Sequence, residues 1–214
     1  MNTYSILENE HLTKNTFRLR CERPDIAFKS GQCFNIGLPG LGVNREYSIY
    51  SSANSPHLDF LIRSVEGGLI SSNLQKTKPG DLVEIDGAYG DFCIEEPIDK
   101  KTEYLFIATG TGIAPFHSFV ETWPNLNYNL VHGIRFEKEC YHYNDYEKNS
   151  YVPCISRPND NSQGMKVTDY LLLNELSKDV QVYICGNRNM IVDVFEILHT
   201  KGISGDQITT EVFF

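Results

Sequence analysis

The pattern of hydrophobic and polar positions changes near the middle of the chain. Up to about residue 98, short apolar segments are separated by turn sequences such as "LPGLG", "ANSPH" and "KPGD". Segments rich in β-branched and aromatic residues between such turns are typical of strands. The predicted strands are "TFRLRC", "QCFNIGL", "EYSIYS", "LDFLIRS" and "DLVEIDG". This pattern predicts an antiparallel barrel or sandwich.

From about residue 100, apolar strands alternate with helices. The predicted strands are "EYLFIA", "YNLVHGI", "YVPCIS", "VQVYICG" and "TTEVFF". The clearest helix follows "ICGN", where apolar residues recur at helical spacing: Met190, Ile191, Val194, Phe195, Ile197 and Leu198. Alternating strands and helices predict an α/β domain with a parallel sheet. The charged stretch "EEPIDKKTE" predicts the boundary, which divides the chain into residues 1–98 and 99–214.

Composition narrows the class of protein. The 214 residues are 41% hydrophobic and 22% charged, as in an ordinary globular protein. The first residues lack a basic segment followed by an apolar run, and no window approaches the roughly 18 apolar residues of a membrane span. We therefore expect a cytoplasmic protein that does not bind membranes. The formal net charge of −9 disfavours nucleic-acid binding, which needs clustered lysine and arginine.

The cysteines argue against a metal centre. All 6 are scattered along the chain, and none forms a C-x-x-C pair. Zinc knuckles and iron–sulfur clusters depend on clustered thiolates. We therefore expect no metal site, and any redox chemistry must come from a cofactor that is held without cysteine.

The stretch "IATGTGIAPF" resembles part of a dinucleotide-binding loop. Gly110 and Gly112 keep a Gly-x-Gly spacing between a predicted strand and a predicted helix, where a pyrophosphate can meet free backbone N–H groups. Pro115 stands in place of a third glycine, and proline suits the first turn of a helix. Taken alone, the stretch is equally typical of an ordinary tight turn.

Two further stretches have residues suited to a phosphate-bearing ligand. In "REYSIYSS", Arg45 and Tyr47 lie on one face of a strand, where a guanidinium and an aromatic ring can share a ligand. In "GGLISSNL", glycines precede Ser71 and Ser72 at the start of a helix, which indicates either a phosphate cradle or a turn with a serine N-cap.

Taken in order, these stretches resemble the ferredoxin–NADP(+) reductase family of flavoproteins. The motifs that carry the resemblance are "REYS", "GGLISSNL", "GAYGDF", "GTGIAP", "CGNRNMI" and "EVFF". The resemblance spans nearly the whole chain. It implies an N-terminal antiparallel β-barrel that binds FAD, and a C-terminal α/β domain with a parallel five-stranded sheet that binds NAD(P).

The resemblance also implies site residues. FAD would be held by Arg45, Tyr47, Ser48, Gly68, Leu69, Ile70, Ser71 and Ser72. The nicotinamide nucleotide would be held by Gly110, Thr111, Gly112, Pro115, Arg135, Ser156, Arg157, Lys166, Gly186 and Asn187. The residues implied at the reacting groups are Ser48, Cys185, Glu211, Phe213 and Phe214. Ser48 would hydrogen-bond near flavin N5, and Cys185 would contact the nicotinamide without acting as a nucleophile.

The carboxy terminus departs from the family pattern. Bacterial members end in Glu-x-Tyr-Trp, so Phe213 would take the flavin-stacking place of the tyrosine, and Phe214 would follow it. Phenylalanine keeps the stacking surface and lacks the hydroxyl. Either of the two phenylalanines is a candidate to cover the flavin ring. Glu211 is expected to affect proton or electron balance near the flavin.

The choice between NADPH and NADH depends on "CISRPND". NADPH-using relatives bind the 2′-phosphate with a Ser-Arg pair at the place of Ser156 and Arg157. Arg135 and Lys166 stand where bacterial relatives have further basic residues, and several cations suit a dianion. Pro158 replaces the usual acidic residue, however, and some NADH-using oxygenase reductases also have Ser-Arg-Pro.

The resemblance predicts a reductase in which NADPH delivers hydride to N5 of FAD and single electrons then pass to a ferredoxin or flavodoxin. An NADH-dependent reductase component of an oxygenase system is an alternative, as is a non-catalytic regulator that binds flavin or nucleotide. Ferredoxins and flavodoxins are acidic. A basic patch should therefore bind them, and Arg18, Arg20, Arg23 and Lys29 are candidates, although these residues also fit a solvated strand face.

Overall fold

The computed structural model describes residues 2–23, 25–159 and 162–213. The chain divides into two compact units. One comprises Met1–Ile94 together with His117–Thr122, and the other comprises Glu95–Phe116 together with Trp123–Phe214. Residues 117–122 thus group with the first unit, and the predicted domain limits of 1–98 and 99–214 stay a prediction.

The N-terminal unit is a six-stranded antiparallel sheet. Its strands are β1 (Asn2–His11), β2 (Thr16–Glu22), β3 (Cys33–Gly37), β4 (Asn44–Ser48), β5 (His57–Arg63) and β6 (Leu82–Tyr89). They lie in the order β4-β3-β6-β1-β2-β5, and a bridge from Ile49 to Phe60 joins the two outer strands. This bridge closes the sheet into the expected barrel.

The barrel core follows from the alternation of side chains along each strand. In β2, Phe17, Leu19 and Cys21 are fully buried, whereas Arg18 and Arg20 lie on the other face. The core also contains buried residues of the other strands, among them Phe34, Ile49, Phe60 and Val83. The five expected strands of this unit are therefore confirmed, and the helix α1 (Ser71–Leu74) follows β5.

Strand β1 was not predicted, because most of its second half is polar. Cross-strand ion pairs hold that half in place. Glu8 and Glu10 lie opposite Arg20 and Arg18 in the register of β1 and β2, and Arg18 Nη2 is 2.7 Å from Glu8 and 2.9 Å from Glu10. Asp59 on β5, which is 5% exposed, accepts two hydrogen bonds of 2.8 Å from Arg20.

These ion pairs bear on the candidate basic patch. Arg18 and Arg20 are engaged by carboxylates of their own sheet, and Arg23 donates to the backbone carbonyls of Ala53 and Ser55 at 2.7 Å. Their charge is therefore largely used within the barrel, which favours the solvated strand face among the two interpretations of these residues.

Residues His117–Thr122 pack on the connection between β4 and β5. The rings of His117 and Tyr50 stack with centroids 3.8 Å apart, and His117 Nδ1 is 2.7 Å from the Tyr50 carbonyl oxygen. The hydroxyl of Ser118 donates to the Ser51 carbonyl at 2.7 Å. Polar and stacking contacts therefore hold the chain that follows Ser48, which belongs to the "REYS" stretch.

The C-terminal unit is built on a five-stranded parallel sheet, as expected. Its strands are β7 (Tyr104–Thr109), β8 (Tyr128–Ile134), β9 (Tyr151–Ile155), β10 (Gln181–Asn187) and β11 (Ile208–Phe213), in the order β11-β10-β7-β8-β9. Its helices are α2 (Ala114–Thr122), which continues into residues of the first unit, α3 (Val167–Leu173) and α4 (Arg188–Thr200). The expected helix after "ICGN" is α4, and its apolar face packs on the sheet.

No helix in the described ranges is both long enough and apolar enough to cross a membrane.

Replacing Arg20 with leucine should destabilise the barrel by about 2–4 kcal/mol, because the buried Asp59 carboxylate would lose its cation and two hydrogen bonds. Urea unfolding of the purified protein measures the change in the free energy of unfolding. Arg63→Leu is the matched control, because Arg63 lies exposed at the end of β5, and it should change stability by less than about 0.5 kcal/mol. Equal effects of the two substitutions would show that the Arg20–Asp59 ion pair contributes nothing to the free energy of unfolding.

Candidate functional site

The stretch "REYS" forms strand β4 and places its side chains as the alternation predicts. Arg45 is exposed, Tyr47 is half-buried against the barrel core, and Ser48 is 4% exposed. Burial raises the pKa of the Tyr47 hydroxyl to about 12, while the Arg45 charge partly opposes this shift. Arg45 and Tyr47 are therefore close enough to interact, and together they present a cation and an aromatic ring on one face.

The stretch "GGLISSNL" forms a tight turn that enters α1. Gly68 donates its N–H to the Val65 carbonyl at 2.9 Å, and the Ser71 hydroxyl oxygen accepts the Val65 N–H at 3.0 Å. The Ser72 hydroxyl donates to the Gly68 carbonyl. The Ser71 oxygen thus accepts a hydrogen bond within the turn. Its hydroxyl hydrogen can be donated to another group. Leu69 is exposed, and Ile70 is buried and begins the helix.

The stretch "GTGIAP" connects β7 to α2. Residues Gly110–Ile113 form one turn of 3₁₀-helix, which leads directly into α2 at Ala114. Pro115 lies in the first turn of α2, where the missing N–H costs no hydrogen bond. This is the helix entry that the sequence predicts in place of a third glycine.

The loop after β7 is packed tightly against the end of β10. A Cβ atom on Gly112 would lie 2.5 Å from the Cys185 carbonyl oxygen, and one on Gly186 would lie 2.2 Å from the Thr109 hydroxyl. That hydroxyl accepts the Asn187 N–H at 3.1 Å. Gly112 is therefore required by contact with the neighbouring strand, which the dinucleotide pattern alone does not indicate.

Strands β10 and β11 bring the residues of two predicted motifs together. In their parallel register Cys185 lies opposite Glu211, and Asn187 lies opposite Phe213. Cys185 Sγ is 3.7 Å from Glu211 Oε2. Burial, followed by the charge of Glu211, raises the pKa of the Cys185 thiol well above its usual value. The thiol is therefore neutral, consistent with a contact role. Phe214 lies outside the described residues.

Two basic residues, Arg135 and Arg157, follow the ends of β8 and β9. Arg157 donates its backbone N–H to the Arg135 carbonyl at 2.9 Å. Both the N–H and the hydroxyl of Ser156 donate to the Ile134 carbonyl. The exposed side chains of Arg135 and Arg157 therefore leave neighbouring strands at the same edge of the sheet.

Lys166 approaches the same edge through the segment that follows β9. A Cβ on Gly164 would lie 2.3 Å from the Ser156 carbonyl oxygen, and Met165 donates its N–H to the Ile155 carbonyl at 2.8 Å. The chain thus returns along β9 before α3 begins. Lys166 immediately precedes α3 and is exposed. Arg135, Arg157 and Lys166 are called the basic cluster below.

Two carboxylates lie near the basic cluster and bond to its backbone. Glu139 Oε2 accepts the Arg135 N–H, and Asp169 Oδ2 accepts the Lys166 N–H, each at 2.8 Å. They leave the three cationic side chains available, but they reduce the net positive charge of this edge.

Comparison with known proteins accounts for both units. Residues 4–94 match the oxidoreductase FAD-binding domain family, and residues 106–196 match the oxidoreductase NAD-binding domain family. Together the two matched segments cover most of the chain. The chain belongs to the ferredoxin–NADP(+) reductase family.

Individual relatives match over most of the chain. The toluate 1,2-dioxygenase electron transfer component of Pseudomonas putida is 30% identical over 88% of this chain, which spans only 59% of that protein's length. The ferredoxin–NADP reductase of Azotobacter vinelandii is 28% identical, with 95% of this chain and 91% of that protein covered.

A solved structure shows the same fold. It is a ferredoxin NADP+ reductase from Neisseria gonorrhoeae with bound FAD and NADP, and it is 26% identical to this chain. The TM-score is 0.86, and the match covers 100% of this chain and 98% of the other. The chain is therefore an oxidoreductase of the ferredoxin–NADP reductase type, with an FAD-binding and an NAD-binding domain.

Most of the residues predicted to bind the nucleotide lie at the carboxyl edge of the parallel sheet. Gly110 to Pro115 follow β7, Arg135 follows β8, Ser156 and Arg157 follow β9, and Gly186 and Asn187 end β10. Ligands of open α/β sheets bind at this edge. The residues predicted to bind flavin belong to the barrel, where they lie on β4 and at the start of α1.

Sequence reasoning missed two residues beside this edge. His132 on β8 is fully buried, with Nε2 2.8 Å from the Gly110 carbonyl oxygen and Nδ1 2.7 Å from the Tyr151 hydroxyl. No sequence signal marks them, because a single histidine within an apolar strand is more often part of the core.

Gly112→Ala should weaken NADP(+) binding at least tenfold and destabilise the protein by more than about 2 kcal/mol, since the new Cβ meets the Cys185 carbonyl. Titration with NADP(+) and urea unfolding measure the two effects. Gly202→Ala is the control. Gly202 lies in a left-handed turn with open space around it, so this substitution should cost about 1 kcal/mol through backbone strain alone and leave binding unchanged. Unchanged nucleotide affinity in Gly112→Ala would refute this account of the loop.

Proposed function

We propose that this protein transfers hydride from NADPH to FAD and passes single electrons to a ferredoxin or flavodoxin. The observation that carries the proposal is the basic cluster at the carboxyl edge of the parallel sheet. NADPH differs from NADH only by its 2′-phosphate, and a dianion is best bound by several cations. FAD supplies the chemistry that joins a two-electron donor to one-electron acceptors.

The barrel offers groups that fit the flavin. Arg45 would pair with the pyrophosphate, and the Tyr47 ring would pack on the isoalloxazine. Ser71 has a hydroxyl hydrogen to donate to a phosphate oxygen, and the backbone from Gly68 to Ser72 would line the same group. Ser48 is buried at the end of β4, where it would orient the flavin near N5.

The α/β unit offers groups that fit the nucleotide. Gly110, Thr111 and Gly112 begin a helix entry whose N–H groups would face the pyrophosphate, with Pro115 shaping the first turn. Ser156 would help the basic cluster to hold the 2′-phosphate. Gly186 and Asn187, at the end of β10, would lie beside the nicotinamide.

Cys185 and Glu211 would order the end of the nicotinamide site. Because its pKa is raised, the Cys185 thiol keeps its proton. It can therefore donate toward Glu211, and it cannot attack the substrate. Glu211 would hold negative charge, or a proton, at this point. The flavin-covering role of Phe213 or Phe214 stays a prediction from the family pattern.

An NADH-dependent oxygenase reductase component is the second candidate. It is favoured by the match to a dioxygenase electron transfer component, and by Pro158 in place of the acidic residue expected after Ser-Arg. Glu139 and Asp169 also add negative charge close to the basic cluster. Cofactor preference separates the two candidates.

The deciding experiment is rapid mixing of the purified, FAD-loaded protein with NADPH and, separately, with NADH. We expect fast bleaching of the flavin absorbance with NADPH and much slower bleaching with NADH. Electron delivery is then measured with a ferredoxin and with a flavodoxin as separate acceptors. Preference for NADH would move the assignment to the oxygenase component, and bleaching with neither nucleotide would refute a reductase.

Arg157→Ala should raise KM for NADPH by about 10- to 100-fold and change KM for NADH by less than threefold, since it removes one cation that faces the 2′-phosphate. Steady-state kinetics with both nucleotides measure the effect. Arg63→Ala, which removes an exposed arginine from the barrel, is the matched control and should alter neither value. Equal losses with the two nucleotides would assign Arg157 a structural role.

A further inference from the structure

His132 is a polar side chain in the most buried part of the parallel sheet. It lies on β8 between Ala108 of β7 and Pro153 of β9, and its exposed fraction is 0%. Burial lowers its pKa to about 4, so the ring is neutral at physiological pH. A neutral imidazole has one donor and one acceptor nitrogen, and both need partners in such a site.

The two partners determine where the ring proton lies. The Gly110 carbonyl oxygen, 2.8 Å from Nε2, can only accept a hydrogen bond, so Nε2 must carry the proton. Nδ1 is then the acceptor, and the Tyr151 hydroxyl donates to it across 2.7 Å.

The result is a chain of hydrogen bonds with one direction. The Tyr151 hydroxyl donates to His132, and His132 donates to the Gly110 carbonyl. Aromatic contacts hold the middle of the chain in place. The Tyr151 ring stacks on Tyr146 with centroids 5.0 Å apart, and the edge of Tyr143 contacts it at 5.4 Å.

The last acceptor in this chain is the first residue of the nucleotide loop. Gly110 has a left-handed backbone, with φ of 55°, and its carbonyl is the one that His132 fixes. Turning that carbonyl would reorient the peptide that joins Gly110 to Thr111, and with it the Thr111 N–H within the 3₁₀ turn. The orientation of this N–H is therefore set by a side chain that lies beneath the loop.

We propose that His132 is a positioning residue that orients the Gly110–Thr111 peptide for the nucleotide pyrophosphate, and that Tyr151 keeps its ring in the required tautomer. The proposal rests on the proposed function, because it needs a pyrophosphate in this loop. It assigns no contact between His132 and the nucleotide. Tyr143 and Tyr146, which no sequence motif covers, support this role because their rings pack on Tyr151.

Four variants of the FAD-loaded protein test the proposal, with the dissociation constant for NADP(+) measured by calorimetry. Tyr151→Phe removes only the hydroxyl and should weaken binding about fivefold. Tyr146→Phe removes a hydroxyl from the adjacent stacked ring and should change binding less than twofold. His132→Asn loses the donor to Gly110 and should weaken binding about tenfold. His132→Gln, whose amide nitrogen reaches the place of Nε2, should restore affinity to within threefold of the unmodified protein.

Two further measurements do not depend on the ligand. Nitrogen-15 NMR of the unmodified protein should show His132 protonated at Nε2 and unprotonated at Nδ1, and the opposite tautomer would overturn the proposed hydrogen-bond order. Amide hydrogen exchange at Thr111 and Gly112 should accelerate in Tyr151→Phe and stay unchanged in Tyr146→Phe. These results can be obtained even where a His132 variant does not fold.

The outcomes separate this proposal from the proposed function. If the unmodified protein binds neither NADP(+) nor NAD(+), the function fails whatever the variants do. If it binds NADP(+) and both Tyr→Phe variants bind it equally well, with equal amide exchange, His132 is only a satisfied core residue. A loss in Tyr151→Phe alone, with rescue in His132→Gln, supports the positioning role.

Discussion

The close approach of the loop after β7 to the end of β10 is the constraint on which the nucleotide site depends. The Gly112 backbone lies so near the Cys185 carbonyl that no side chain fits between them, and the Thr109 hydroxyl joins the same two segments by accepting the Asn187 N–H. Because β7 and β10 are adjacent and parallel, "GTGIAP" and "CGN" emerge at the same edge. One packing contact thus fixes two of the motifs relative to each other.

Charge is distributed differently in the two units. In the barrel, Arg18 and Arg20 are held by carboxylates of neighbouring strands, so they contribute to the sheet rather than to a ligand. At the edge of the parallel sheet, Glu139 and Asp169 accept hydrogen bonds from backbone N–H groups of the basic cluster. The cationic side chains of this cluster stay exposed. An acidic protein therefore keeps a local area suited to an anion.

Buried polar groups extend the nucleotide site below its surface. His132 and Tyr151 have their hydrogen-bonding groups satisfied within the sheet, and the last bond of their chain reaches the loop that would meet the ligand. Low dielectric strengthens such bonds, and satisfied networks hold one geometry. The carbonyl of a loop residue is consequently held by side chains buried within the sheet.

The sequence by itself determined the fold class, the positions of most strands along the chain and the family. Periodicity of two in the first half and strand–helix alternation in the second follow from local patterns, and six ordered motifs identified the cofactor-binding halves. Strand β1 escaped this reasoning because its polar half is held by Glu8 and Glu10, whose arginine partners lie on another strand. Only the tertiary structure decided that Gly112 serves packing, that Lys166 returns to the edge where Arg157 lies, and that His132 supports Gly110. Each of these depends on contacts between segments distant along the chain, which arise from strand order and register and have no local sequence signal.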